Sequence, residues 1–256
     1  MDASFFQTVW KIITTYWPSL LLGVRTTLIV AIFGTAVGFL IGLLIGGFRA
    51  VKLDYTASKI SRFFKKLFDV ITSIYIGIFR GTPMMVQAVF IYYALLSVIH
   101  WDKMTAALFV ISVNTGAYMS EIIRSGIQSV DPGQTEAARS LGMSNSQSMM
   151  NVVLPQAIRN AFPAIGNELI VNIKDSSVLM IISITELMFQ AKSIAGTNYK
   201  FTETYFVEAC IYLILTTIAS LILNAVERHM NQTKTSIPQS DTDPKNMKNA
   251  EGRAEA

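Results

Sequence analysis

Two parts of this 256-residue chain set polar side chains among apolar neighbours. One is Arg80-Gly81-Thr82-Pro83, with Asn114 further on; the other holds Asn167, Glu168, Asn172, Lys174 and Asp175. Their chemistry is that of binding. Guanidinium, amide and carboxylate groups can match a charged or zwitterionic guest, but they form no nucleophile–base pair. The only cysteine is Cys210, and the only histidines, His100 and His229, lie far apart, which excludes a disulfide framework or a thiolate metal site within one chain. No Gly-rich loop ends in Gly-Lys-Ser/Thr, so a phosphate-cradling ATPase site is absent. An unpaired polar group facing lipid costs several kcal/mol, so these side chains must face other helices, a partner chain or water. An ionisable group within a membrane span is a functional candidate by default.

A third polar stretch, 131–155, is specified in detail by local signals. Asp131 caps a helix that starts at Pro132, and Gln134 stands at the capping-box position. Gly142 supplies the left-handed residue that ends this helix, and Ser144 with Gln147 caps a second one. The spacing predicts two short helices joined at a tight glycine turn. Arg139 is the only basic residue of the stretch. With spans on both sides as well, the hairpin does not suit a nucleic-acid duplex.

These groups must be held by membrane helices. The chain is 52% hydrophobic and 15% charged, with mean hydropathy +0.44; soluble domains carry about 25% charged residues. Spans of roughly 20 apolar residues are expected at 26–48, 84–99, 104–123, 164–187 and 205–226. This is an all-α integral membrane architecture of about five helices. In the first span Gly34, Gly38, Gly42 and Gly46 form one stripe for close helix contact. Residues 1–18 read as an interfacial segment, 19–230 as the membrane domain and 189–204 as an external loop. From 231 to 256 the chain is polar and reads as disordered. Basic residues crowd 49–66, whereas Trp10, Trp17 and Trp101 fall on the opposite side, which puts the N-terminus outside and the C-terminus inside. Glu121 and Arg124, three apart at the inner end of the third span, are spaced to pair.

Glu136-Ala137-Ala138, then Gly142, then Leu154-Pro155 resembles the EAA loop of ABC-importer permeases; Val152 and Val153 stand where that family usually has Ile before Leu-Pro. Arg80-Gly81-Thr82-Pro83 with Val86-Gln87 is similar to the polar-amino-acid branch. So are Asn114-Thr115-Gly116-Ala117-Tyr118 and Asn167-Glu168-Leu169-Ile170. The resemblance implies a type I permease subunit in the inner membrane of a prokaryote. It implies that Glu136, Ala137, Ala138, Gly142, Leu154 and Pro155 contact a dimer of ATPase subunits, which use ATP and Mg; this chain needs no cofactor of its own. A second permease, identical or paralogous, and an extracytoplasmic amino-acid-binding protein complete the expected assembly within the lipid.

For an amino acid in transit, Arg80, Thr82, Asn114, Asn167, Glu168 and Asn172 are the path candidates. Asn114 and Asn172 are expected to make contact, and Arg80 and Thr82 to shape the pocket. Glu168 and the neighbours Lys174 and Asp175 also suit structural charge neutralisation. A channel or secondary carrier, or a non-transporting scaffold, remains the alternative. Against a carrier, five spans make no even inverted repeat.

The orientation is open to a labelling test. Ser61→Cys, Ser144→Cys and Ser236→Cys should be shielded from an impermeant thiol reagent applied to intact cells, and Gly196→Cys should react. Labelling of Ser144→Cys from outside would overturn the arrangement.

Overall fold

The computed structural model describes residues 3–51 and 58–232. The tail predicted to be disordered lies outside the described residues from 233 onward. Every regular element among the described residues is helical. α1 is Ala3–Ala50, α2 Lys59–Gly81, α3 Met84–Ile99, α4 Lys103–Gln128, α5 Pro132–Ser140, α6 Asn145–Ser148, α7 Leu154–Asp175, α8 Leu187–Asn198 and α9 Phe201–Gln232. Among these residues three helices are by themselves long and apolar enough to cross a membrane. Five spans result if α2 with α3, and the run from α6 through α8, each count as one bent span.

α1 and α4 run side by side in the same direction. A β-carbon at Gly34 would stand 2.6 Å from Ile111, at Gly38 2.7 Å from Thr115, and at Gly46 2.6 Å from the Ser120 carbonyl; at Gly42 it would collide with Met119. The expected stripe therefore meets one face of α4, and α4 answers at Gly116, where a β-carbon would lie 2.7 Å from Ile41. Such proximity needs small residues, because lipid gives helices no hydrophobic drive to associate and packing must supply it. α4 is the most enclosed span: Ala106, Ala107, Val110, Ile111, Ala117 and Met119 are fully buried. On its other side, Gly126 faces the Ala157 carbonyl of α7.

Residues 3–18, where an interfacial segment is expected, are helical. They are the first turns of α1, which bends at Tyr16 (φ −107°, ψ 16°), two residues before Pro18. Proline lacks the amide donor, and its ring crowds the preceding turn. At the helical rise α1 is roughly 70 Å long, more than twice a hydrocarbon core of about 30 Å. Its early part packs on later elements: Ile12 and Leu20 share a core with Leu187, Ile194 and Val207, and Phe5 meets Phe206 edge-on at 5.4 Å.

The expected loop at 189–204 is different, since most of it belongs to α8. Leu187, Ala191, Ile194 and Ala195 are buried at helical spacing against α1 and α9. The fully buried Glu186 caps this helix, accepting the amides of Phe189 at 2.7 Å and Met188 at 2.9 Å and the Tyr212 hydroxyl at 3.1 Å. Burying a carboxylate is tolerable when donors surround it in this way.

Between α2 and α3 the chain turns by 114° at Thr82-Pro83. The break lies level with the middle of α4, where the Tyr75 hydroxyl donates to the Val113 carbonyl. Toward the C-terminal end of α4 Glu121 joins three elements. It accepts Arg124 of its own helix at 2.6 Å, as the spacing suggested, and also Arg49 of α1 at 3.0 Å. Arg49 reaches Ser73 of α2 at 3.2 Å.

Gly42 and Gly47 provide an internal control, since a β-carbon at Gly47 meets nothing within 4 Å. Gly42→Val should lower the thermal midpoint of the detergent-purified protein, corresponding to a loss of about 1–3 kcal/mol or more from overpacking. Gly47→Ala should leave it unchanged. Equal stability of the two variants would show that α1 and α4 do not depend on this approach.

Candidate functional site

The six path candidates separate into four places. Arg80 and Glu168 line one open cavity of about 500 Å³, together with Tyr118, Glu121, Ser125, Ser129 and Asn160. Arg80 comes from the last turn of α2, Tyr118, Glu121 and Ser125 from α4, and Asn160 and Glu168 from α7. The guanidinium stacks 5.3 Å from the centre of the Tyr118 ring, a cation–π contact that restrains it without neutralising it. Glu121 is engaged by two arginines, whereas Glu168 makes no ion pair within 4 Å among the described residues. The cavity thus presents one cation and one carboxylate outside any ion pair, and hydroxyl and amide groups also line it.

Thr82 and Asn114 belong to a hydrogen-bonded knot at the helix break. The Gln87 amide donates to the Phe79 carbonyl, the Thr82 carbonyl and the Thr82 hydroxyl, each at 2.9 Å. Asn114 donates to Gln87 at 2.8 Å and to the Phe79 carbonyl at 3.3 Å. Asn172 ties α7 to two other spans, donating to Thr35 at 2.8 Å and accepting from Thr115 at 3.0 Å. Asn167 faces a separate cleft of about 230 Å³ beside Ser220, Asn224 and Glu227. Lys174 and Asp175 do not pair within 4 Å; Lys174 is exposed, and adjacent residues on a helix do not share a face. Sequence reasoning missed Tyr118, Ser125 and Asn160 as cavity lining. Their signal lay in α4 and α7 facing each other through Gly126 and Ala157, which is a tertiary fact.

The hairpin is built largely as its sequence suggests. Asp131 accepts the Gly133 amide at 2.7 Å, and Pro132 opens α5. Gly142 has φ +86°. The Met143 amide bonds the Ala138 carbonyl at 3.2 Å and the Gly142 amide bonds the Arg139 carbonyl at 2.9 Å, the paired bonds of a Schellman end. Ser144 and Gln147 form the reciprocal capping box. Two details differ. Gln134 does not close a box with Asp131; its side chain accepts from Gln156 at 3.3 Å, bracing α5 against α7. The second helix is not short, because α6 passes through a π-helical turn, Met149–Val153, into α7. A widened turn absorbs the register change next to Pro155, whose missing amide cannot serve the α pattern. Glu136 and Ala137 are exposed, Ala138 is buried, Leu154 is half-buried and Pro155 is exposed. Leu141 at the tip is 82% exposed, and Met150 in the π-helical turn is 61% exposed. This apolar pair was not singled out by sequence, since one Leu and one Met carry no periodic signal.

Residues 55–232 match the family model described as the binding-protein-dependent transport system inner membrane component. The chain belongs to this family. It is accordingly a multi-pass inner-membrane transport subunit of an ABC system rather than an enzyme. It is 35% identical over 224 residues to the glutamine transport system permease protein GlnP of Escherichia coli (strain K12), covering 86% of this chain and 97% of that one. It is 33% identical over 232 residues to the arginine transport system permease protein ArtQ of Bacillus subtilis (strain 168), covering 90% and 98%. Among solved structures, an amino acid ABC transporter with histidines aligns with TM-score 0.75 and 36% identity, over 90% of this chain and 100% of that one. The MetNI methionine ABC transporter, inward facing, aligns with TM-score 0.72 at 21% identity over 85% and 98%, a likeness of fold.

For a permease of this family the hairpin generates a direct test. A β-carbon at φ +86° costs about 1–2 kcal/mol, and Gly142 is otherwise in open space. Gly142→Val and Glu136→Arg should leave the permease inserted but reduce its co-purification with the ATPase subunit. Undiminished association and uptake in both variants would remove the hairpin from the coupling path.

Proposed function

We propose that this chain is the membrane permease of an ATP-driven importer for polar amino acids, and that its substrate passes through the cavity bearing Arg80 and Glu168. The observation that carries the reading is the pairing, in one cavity, of a cation and a carboxylate that are not bonded to each other. A free amino acid carries both charges, and desolvation keeps it out of a low-dielectric path unless both are matched. Arg80 suits the carboxylate, which a planar guanidinium accepts with two donors. Glu168 suits the ammonium. Ser125, Ser129 and Asn160 also line the cavity, with Asn160 donating to Ser129 at 3.0 Å, and their remaining capacity favours a substrate side chain that forms hydrogen bonds. The cavity size falls in the ordinary range for small-molecule sites, about 300–1,000 Å³.

Asn114 and Asn172 were the expected contacts. Their side chains are committed to other helices, so their role in this reading is to hold the cavity walls; Thr82 acts likewise, and Asn167 is a candidate only for the second cleft. The chain supplies no energy site of its own. The partners are a dimer of ATPase subunits that use ATP and Mg, a second permease, and a binding protein outside that delivers the amino acid. The hairpin presents Glu136, Ala137, Gly142, Leu154, Pro155 and the apolar tip Leu141 to the ATPase, while Ala138 packs inward. ATP binding draws the ATPases together, the hairpins follow, and the spans change the side to which the cavity opens. In this reading 1–18 is an interfacial segment, 19–230 the membrane domain and 231–256 a polar tail.

Relatives named for glutamine and for arginine make these two amino acids the first probes. In proteoliposomes holding the complete complex, Arg80→Gln and Glu168→Gln should each lower ATP-dependent uptake by about tenfold or more, since each leaves a substrate charge unmatched. The permease should still co-purify with its ATPase. Full uptake in both variants would place the path outside this cavity.

A further inference from the structure

The break at Thr82-Pro83 poses an accounting problem. A helix that stops leaves its last carbonyls without intrahelical donors, and Pro83 brings no amide to help. Level with the middle of α4, such groups need partners from the protein itself. The Thr82 hydroxyl reaches back to the Ile78 carbonyl at 2.8 Å. The carbonyls of Phe79 and Thr82 are both served by one side-chain amide, that of Gln87, at 2.9 Å. Gln87 stands one turn into α3 and is 6% exposed. Its oxygen in turn accepts Asn114 of α4 at 2.8 Å. One residue therefore joins the end of α2, the start of α3 and the middle of α4.

Arg80 lies between the two carbonyl-bearing residues that Gln87 holds. Its neighbour Phe79 is fixed on one side and Thr82 on the other, so the last turn of α2 has little freedom to rotate. Arg80 faces the cavity, whereas Gln87 does not line it. We propose that Gln87 is a positioning residue for transport: by holding the Phe79 and Thr82 carbonyls, it fixes the helix break that aims Arg80 at the substrate carboxylate. This rests on the assignment of Arg80 to the cavity given above. A thioether or a carboxylate in place of the amide removes the Gln87 donor from both carbonyls and leaves Phe79 only the longer bond from Asn114, at 3.3 Å. The Thr82 carbonyl then loses its side-chain donor, and a backbone rotation that satisfies it again would turn Arg80 away from the cavity.

The test uses the complete complex of permease, ATPase and binding protein in proteoliposomes. The probe is radiolabelled L-glutamine or L-arginine, whichever the parent complex carries. Four permeases are compared: the parent, Arg80→Gln, Gln87→Met and the double variant. Two quantities are read, the uptake rate and the competition by the α-amide of the same amino acid, which lacks the carboxylate. Each single variant should reduce uptake by about tenfold to a hundredfold, the scale on which a misplacement of about 1 Å acts. The double variant should be no slower than the slower single one, because both changes remove the same contact. The parent should prefer the amino acid over its α-amide, and both single variants should lose that preference. A purely structural role would lower thermal stability without moving it.

If Gln87→Met keeps the parent's preference while Arg80→Gln loses it, or if the two losses in uptake multiply, the positioning role is overturned and the Arg80 assignment stands. If Arg80→Gln itself keeps the preference, the Arg80 assignment falls and takes the inference with it. Should Gln87→Met fail to assemble, Gln87→Glu decides the matter by the same two readings, since it keeps the side-chain size and the oxygen that accepts Asn114.

Discussion

The near-contact of α1 with α4 is the constraint on which the rest of the structure depends. Four glycines at every fourth residue let the α1 backbone lie against Ile111, Thr115, Met119 and Ser120. In lipid this attraction is van der Waals packing, which falls away steeply with distance, so the approach cannot be relaxed a little without being lost. Every functional group is referred to α4. The cavity takes Tyr118, Glu121 and Ser125 from it, the helix break is anchored on Asn114, and α7 is tied to it through Thr115 and Asn172. The C-terminal end of the same helix runs through Arg124 and Gln128, bonded at 3.0 Å, into the hairpin that begins at Asp131.

Polar groups within the spans perform two different tasks. Asn114, Gln87, Thr82, Asn172, Thr35 and Thr115 satisfy one another and hold helices together. Arg80 and Glu168 face the cavity and leave bonding capacity for a guest. Chemistry alone does not separate the tasks, because an asparagine serves equally as glue or as ligand. What separates them is whether the donors and acceptors are already spent. By that measure a substrate site is a place where a charge facing a cavity has been left incomplete.

Much of the fold was legible in the sequence where a signal is local or periodic. The glycine stripe, the capping box at Ser144, the left-handed Gly142 and the break at Pro83 each depend on a few adjacent residues. The Glu121–Arg124 pair followed from helical spacing. The features that were missed depend on register or on distant partners. Arg49 lies 72 residues from Glu121. Whether Asn172 meets Thr35 or a guest depends on the depth at which α7 crosses α1. α8 had helical spacing at Leu187, Ala191, Ile194 and Ala195, but Lys192, Ser193, Thr197 and Asn198 masked it in a segment short enough to read as a loop. The π-helical turn before Pro155 follows from a proline signal that ordinarily marks a helix start.

In the proposed function one amino acid is held between Arg80 and Glu168 inside each permease chain. Cryo-electron microscopy of the complete complex with its amino acid, trapped before ATP hydrolysis, tests it most directly. The account predicts density in the cavity beside Tyr118, with the substrate carboxylate within hydrogen-bond distance of the Arg80 guanidinium and the ammonium against Glu168. Density in the cleft beside Asn167 and Asn224, or substrate bound only between two permease chains with Arg80 and Glu168 unengaged, would contradict it.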